Sequence, residues 1–138
     1  MNINLSTNTK NLSKSQVFHL NTMLLRVCEQ KMGKKRVKPQ IVAKFTTNEN
    51  MGLYSATQKT IVLYTKECCD IKTYISTFIH EYTHHLQKNL SRKYQTPMSD
   101  YEYYRNPHEI EAFSNEKKYL SSVWKEVKPK INKLIQKS

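Results

Sequence analysis

Apolar positions recur along this chain at helical spacing in three places, and they alternate in a region between the first and the second. A polar lead, residues 1–12, is rich in Asn, Thr and Ser and reads as loose. Ser13-x-x-Gln16 then has the form of a capping box, and Val17, Leu20, Leu24, Val27 and Cys28 follow at steps of three and four. The pattern predicts a helix that stops near Gly33, ahead of a basic cluster, Lys34-Lys35-Arg36, which reads as a solvated turn of charges. Residues 40–46 alternate, with Ile41, Ala43 and Phe45 on one side, and residues 51–55 and 60–65 continue the alternation across polar turns. These segments predict a small three-stranded sheet, antiparallel at least between the last two. Gly52, inside a strand-like run, marks a bulge or a place where another part of the chain comes close.

The second helical stretch, residues 70–90 with Asp70 as its cap, carries the chain's most pointed chemistry. Ile71, Tyr74, Ile75, Phe78, Ile79, Tyr82, Leu86 and Leu90 form one apolar stripe. Thr73, Ser76, Thr77, His80, Thr83, His84 and Gln87 form the opposite face. Between Lys72 and Lys88 the only fully charged side chain is Glu81, in a protein whose exposed faces should be crowded with lysine. Small uncharged residues around two histidines fit the wall of a cleft. His80-Glu81-Tyr82-Thr83-His84 is an H-E-x-x-H pattern: residues four apart share a helical face, so His80 and His84 can reach one metal ion. Glu81, about 100° further round, is placed to act on a metal-bound water. His85 falls on the apolar side and reads as a structural neighbour.

A catalytic zinc needs a third protein ligand. After a predicted loop, residues 91–106, containing Pro97 and the aromatic run around Tyr103, Tyr104 and Arg105, a last helix starts with Asn106 as its cap and Pro107 in its first turn. It is expected to run to about Val127, ahead of Pro129, with residues 130–138 as a tail that packs as a short helix or frays. On this helix His108, Glu109, Glu111 and Glu116 are the candidates. Glu109 sits in the apolar stripe of Ala112, Phe113, Leu120, Val123, Trp124 and Val127, where an unpaired carboxylate costs several kcal/mol. It is either the third ligand or the partner of Asn106 in capping its own helix. Glu111 lies on the polar side with Lys118 and Ser122. Glu116 is a candidate hydrogen-bond partner for a ligand histidine.

Length and charge set the frame around this chemistry. At 138 residues the chain is expected to form one α+β domain. Its net charge of +12 favours acidic partners, either an acidic protein or nucleic acid. The bias of that charge toward lysine over arginine weakens the nucleic-acid version, because phosphate and base readers lean on the arginine fork. Cys28, Cys68 and Cys69 have no framework or zinc-finger spacing, which points to a reducing compartment. With neither a secretory leader nor a membrane-length apolar run, the expectation is a soluble, cytoplasmic monomer.

His-Glu-Tyr-Thr-His, followed by a later helix with Pro-His-Glu-Ile-Glu-Ala, resembles the gluzincin type of HExxH zinc metallopeptidase. The closest likeness is to the small single-domain minigluzincins, related to phage and viral metallopeptidase-like proteins. The likeness spans roughly residues 13–127, and only the two motifs are specific. It implies a zincin-like fold: an N-terminal helix, a short mixed or antiparallel sheet ending in an edge strand, the HExxH helix and a glutamate helix. It also implies zinc on His80, His84 and a late glutamate. The pattern Glu-x-x-Ala selects Glu109, whereas a thermolysin-like alignment selects Glu111. Residues 51–55 or 60–65 would line the cleft and pair with an extended protein or peptide substrate, and Tyr103, Tyr104 or Arg105 would steady the oxyanion. The expected activity is zinc-dependent peptide hydrolysis with Glu81 as the base. The alternative is a zincin-like module with structural zinc and a basic surface that binds nucleic acid or an acidic partner. A third expectation is a latent enzyme whose basic tail covers its own cleft.

Overall fold

The structure, a computed structural model, describes residues 2–46, 48–87 and 100–136. After a short 3-10 turn at Thr9–Asn11 come helix α1 (Lys14–Met32), strands β1 (Gln40–Lys44), β2 (Gly52–Ser55) and β3 (Thr60–Tyr64), and a one-turn helix α2 (Thr65–Cys68). Helices α3 (Ile71–Leu86), α4 (Asp100–Arg105) and α5 (Pro107–Gln136) complete the described elements.

Local signals set both ends of the first helix and the start of the third. Ser13 accepts from the Gln16 amide at 3.1 Å while the Gln16 side chain accepts from the Ser13 amide at 2.8 Å, so the predicted capping box forms. Gly33 ends α1 at φ +93, backbone that a residue with a Cβ rarely adopts. Asp70 caps α3 by accepting from the Thr73 amide at 2.8 Å. The helix does not reach Leu90 as predicted: it ends at Leu86, where Gln87 leaves helical backbone with its amide still bonded to the His84 carbonyl, and residues 88–90 lie outside the described residues.

The sheet is mixed, in the order β1-β3-β2. β3 pairs in parallel with β1, Gln40 opposite Thr60, and antiparallel with β2, Gly52 opposite Leu63. The central strand is therefore β3, and residues 60–65 cannot supply the edge that was one of two expectations for the cleft. That edge is β2. The reason is burial: Ile61 and Leu63 are fully enclosed, whereas every β2 residue keeps partial exposure.

α3 is the hub of the core. Its apolar stripe, Ile71 through Tyr82, is buried against α1 and the sheet. Its polar face is covered too, since Thr77, His80, Glu81, Thr83 and His84 are all buried. Part of the cover is the first half of α5, where Asn115 donates to Thr83 at 3.1 Å.

Three expectations fail at the chain's ends and in the loop. Residues 2–12 are not loose: Ile3 is 1% exposed, and its backbone amide and carbonyl both bond the Asn132 side chain. The last helix does not stop before Pro129 but continues to Gln136. Proline inside a helix costs about 3 kcal/mol, yet Pro129 faces solvent, where the orphaned carbonyl can find water. Beyond it Ile131 and Ile135 are buried, each worth roughly 1.5–3 kcal/mol. Residues 130–136 thus pack on the N-terminal segment, at the end of the helix far from Glu109. The predicted loop contains a helix, α4, at its end, and its residues 91–99 lie outside the described residues. Among the described residues no helix is long and apolar enough to cross a membrane.

Candidate metal centre and cleft

His80, Glu81 and His84 place one possible ligand atom each within 4.8 Å of one another, all from buried side chains of α3. Glu109, in the first turn of α5, completes the group. Its two carboxylate oxygens meet the two imidazoles, Oε1 with His80 Nε2 at 2.8 Å and Oε2 with His84 Nε2 at 2.9 Å. The carboxylate is 1% exposed, in the apolar stripe where the wheel puts it. Such burial is costly unless the charge is met, and here two imidazoles meet it.

The outer ring nitrogens are fixed as well. His80 Nδ1 lies 2.7 Å from Glu116 Oε2, so Glu116 takes the place expected of a partner to a ligand histidine. With carboxylates at both nitrogens, His80 carries both hydrogens. Burial alone lowers its pKa, but the bonds to Glu109 and Glu116 overcome this and push it up to about 10. Phe113 meets the His80 ring edge-on, with centroids 4.7 Å apart.

Gln87 does the equivalent for His84, and sequence reasoning gave it no role. Its amide nitrogen donates to the His108 carbonyl and to Glu111 Oε1, both at 2.9 Å. Its oxygen is thereby presented to His84 Nδ1 at 2.7 Å, so Nδ1 carries a hydrogen and Nε2 is the nitrogen that faces inward. Glu111, the alternative ligand, is accounted for by this contact: it is exposed and holds Gln87, not the histidines. Only the spacing of Gln87 three residues after His84 could have signalled this.

Two adjoining hollows, about 380 and about 530 Å³, flank this centre and share Asn50, Gly52, Glu81 and Tyr103. Burial pushes Glu81 up to about 7, against the pull of His80 and His84. Tyr103 lines both hollows and its hydroxyl bonds Glu109. Desolvation first, then that carboxylate, raise its pKa. Tyr104 lines only the larger hollow, stacked on Phe113 with centroids 5.8 Å apart. Arg105 is exposed and lines neither. His85, the expected structural neighbour, is buried between the Tyr54 hydroxyl at 2.8 Å and the Val37 carbonyl at 3.0 Å.

Gly52 sets the width of the cleft. A Cβ there would lie 2.7 Å from Thr77 Cγ2 on α3 and 2.9 Å from the Val62 carbonyl. The carbonyl is backbone and cannot turn aside, so only glycine lets the edge strand lie this close to the helix. Gly52→Ala is expected to lower unfolding stability by about 1–3 kcal/mol. Denaturant titration checks this, and an unchanged midpoint would mean that the strand has room to spare.

Set against family models, curated proteins and solved structures, the chain matches nothing in any of the three. The structure itself defines a mixed α+β fold whose buried central helix carries a His-Glu-x-x-His group able to hold a metal ion.

Proposed function

We propose that this protein is a zinc-dependent peptidase of the zincin kind, with His80, His84 and Glu109 as metal ligands and Glu81 as the catalytic base. One observation carries the reading: two Nε2 atoms from one helix and a buried carboxylate from another converge beside an open cleft. The donor set fits the ion, since two imidazoles and one carboxylate are a catalytic zinc set that leaves a position open. Both outer nitrogens are already engaged, which leaves each Nε2 to face the centre.

Zinc bound there would acidify a water molecule and polarise the scissile carbonyl. The remaining roles fall to the chain. β2, the sheet edge beside the centre, holds an extended peptide by backbone pairing. Glu81, with a proton affinity near neutrality, takes the proton of the attacking water and passes it to the leaving amine. Tyr103 is the donor we assign to the carbonyl oxygen.

Two measurements test this reading. Protein loaded with one equivalent of zinc should cleave casein or a peptide library, lose the activity on chelation and regain it with zinc. Full zinc loading with no cleavage, together with salt-sensitive DNA binding, would favour the structural-zinc alternative instead. Zinc uptake should also depend on pH with a definite sign. In the metal-free protein His80 holds its protons up to about pH 10, and the ion must displace the one on Nε2. Affinity is therefore expected to rise with pH across the neutral range, by about tenfold per unit for each proton released. Competition against a chromophoric chelator checks this, and a flat profile would remove His80 from the ligand set.

A further inference from the structure

A third hollow, about 370 Å³, lies on the far side of the edge strand's Tyr54 and is lined by Lys35, Arg36, Val37, Tyr54, Lys59 and His85. Tyr54 belongs also to the lining of the cleft, and His85 directly follows His84, so the two spaces share a wall. Among the described residues, three cationic side chains line this hollow and no acidic one does. The opposite end of the cleft has the reverse character: among the described residues, Glu49 and Glu116 line it and no lysine or arginine does. In a chain with 23 basic and 11 acidic residues, an acidic end is not what average composition would give. Charge is therefore sorted along the line that an extended peptide would follow.

The turn that carries Lys59 adds a second observation. Lys59 takes φ +50, a left-handed conformation that glycine or asparagine fills at less cost. A non-glycine residue at that φ is uncommon, and this one, in the turn between β2 and β3, lines the hollow. Lys35 is positioned by a 3.0 Å bond from its amine to the Gln87 carbonyl, and Glu29 pairs with Lys38 at 3.6 Å.

We propose that this hollow is a subsite for a carboxylate of the bound peptide, so that the protein selects chains carrying Asp, Glu or a chain terminus on the Lys59 side of the scissile bond. The edge strand spans only Gly52–Ser55, so a chain lying along it passes Tyr54 within about four residues of the bond at ~3.3 Å per residue. Arg36 and Lys59 supply charge-assisted hydrogen bonds to the carboxylate, with Tyr54 and His85 forming the floor.

The proposal rests on the peptidase reading, and one experiment separates the two. The zinc-loaded protein digests a proteome-derived peptide library in two forms, one with free and one with amidated C-termini, and mass spectrometry reads the cleavage sites. The expected result is an enrichment of acidic residues of about tenfold at one position within about four residues of the cut, on one side only. An Arg36→Ala/Lys59→Ala variant, altered only at exposed positions, should cleave the same library with that enrichment lost. Enrichment that persists in the amidated library identifies a side-chain carboxylate; enrichment confined to free termini identifies the terminal one. Cleavage with no acidic preference, or a preference unchanged in the double variant, overturns the subsite and leaves the peptidase standing. A library left intact by the zinc-loaded protein overturns both.

Discussion

Glu109→Gln is expected to lose stoichiometric zinc, with affinity falling by more than about 100-fold, whereas Glu111→Gln keeps the metal. The difference lies in where the two carboxylates are. Glu109 presents one oxygen to each inner histidine nitrogen, at 2.8 and 2.9 Å. Glu111, two residues on, is turned about 200° round the helix to the outside, where it accepts from the Gln87 amide. Glutamine at 109 keeps the shape of the side chain and one acceptor but removes the charge that offsets a dication. Metal analysis of both variants after equilibration with one equivalent of zinc decides the matter. Should Glu111→Gln be the variant that empties, the site is built differently from this geometry.

The second large effect is on turnover. Glu81→Gln should retain full zinc while kcat/KM drops by about 10²–10⁴-fold, the usual contribution of a positioned base. The carboxylate is 7% exposed, on the helical turn that carries both histidines, and opens onto the cleft. Glutamine fills the same volume without accepting a proton, so circular dichroism and metal content should match the parent. Parent-like hydrolysis by a zinc-replete Glu81→Gln protein would rule this residue out as the base.

Both outcomes turn on residues that the chain's own patterning singled out. A 3.6-residue period put His80 and His84 on one face, and the same wheel set Glu109 among Ala112, Val123 and Val127, where a carboxylate needs a partner. Caps were legible for a similar reason: Ser13, Asp70 and Gly33 act on backbone groups a few residues away. What escaped were contacts between parts of the chain far apart in sequence. Pro129 argues locally for a helix end, and the helix continues because Ile3 and Asn132, 129 residues apart, bond each other. Gln87 looks like one more polar residue until α5 brings the His108 carbonyl and Glu111 up to its amide. Composition hinted at cationic surface, but sorting of charge between the Glu116 end and the Lys59 end of the cleft depends on which turns meet there.

By itself, then, the sequence determined the helices, their caps and the two motifs, because hydrophobic period and capping are short-range properties written into neighbouring residues. Only the tertiary structure decided which strand forms the edge, which glutamate meets the histidines and how the outer ring nitrogens are held. Those are matters of packing distance, and residues separated by tens of positions come within 3 Å only once α3 is buried between its neighbours.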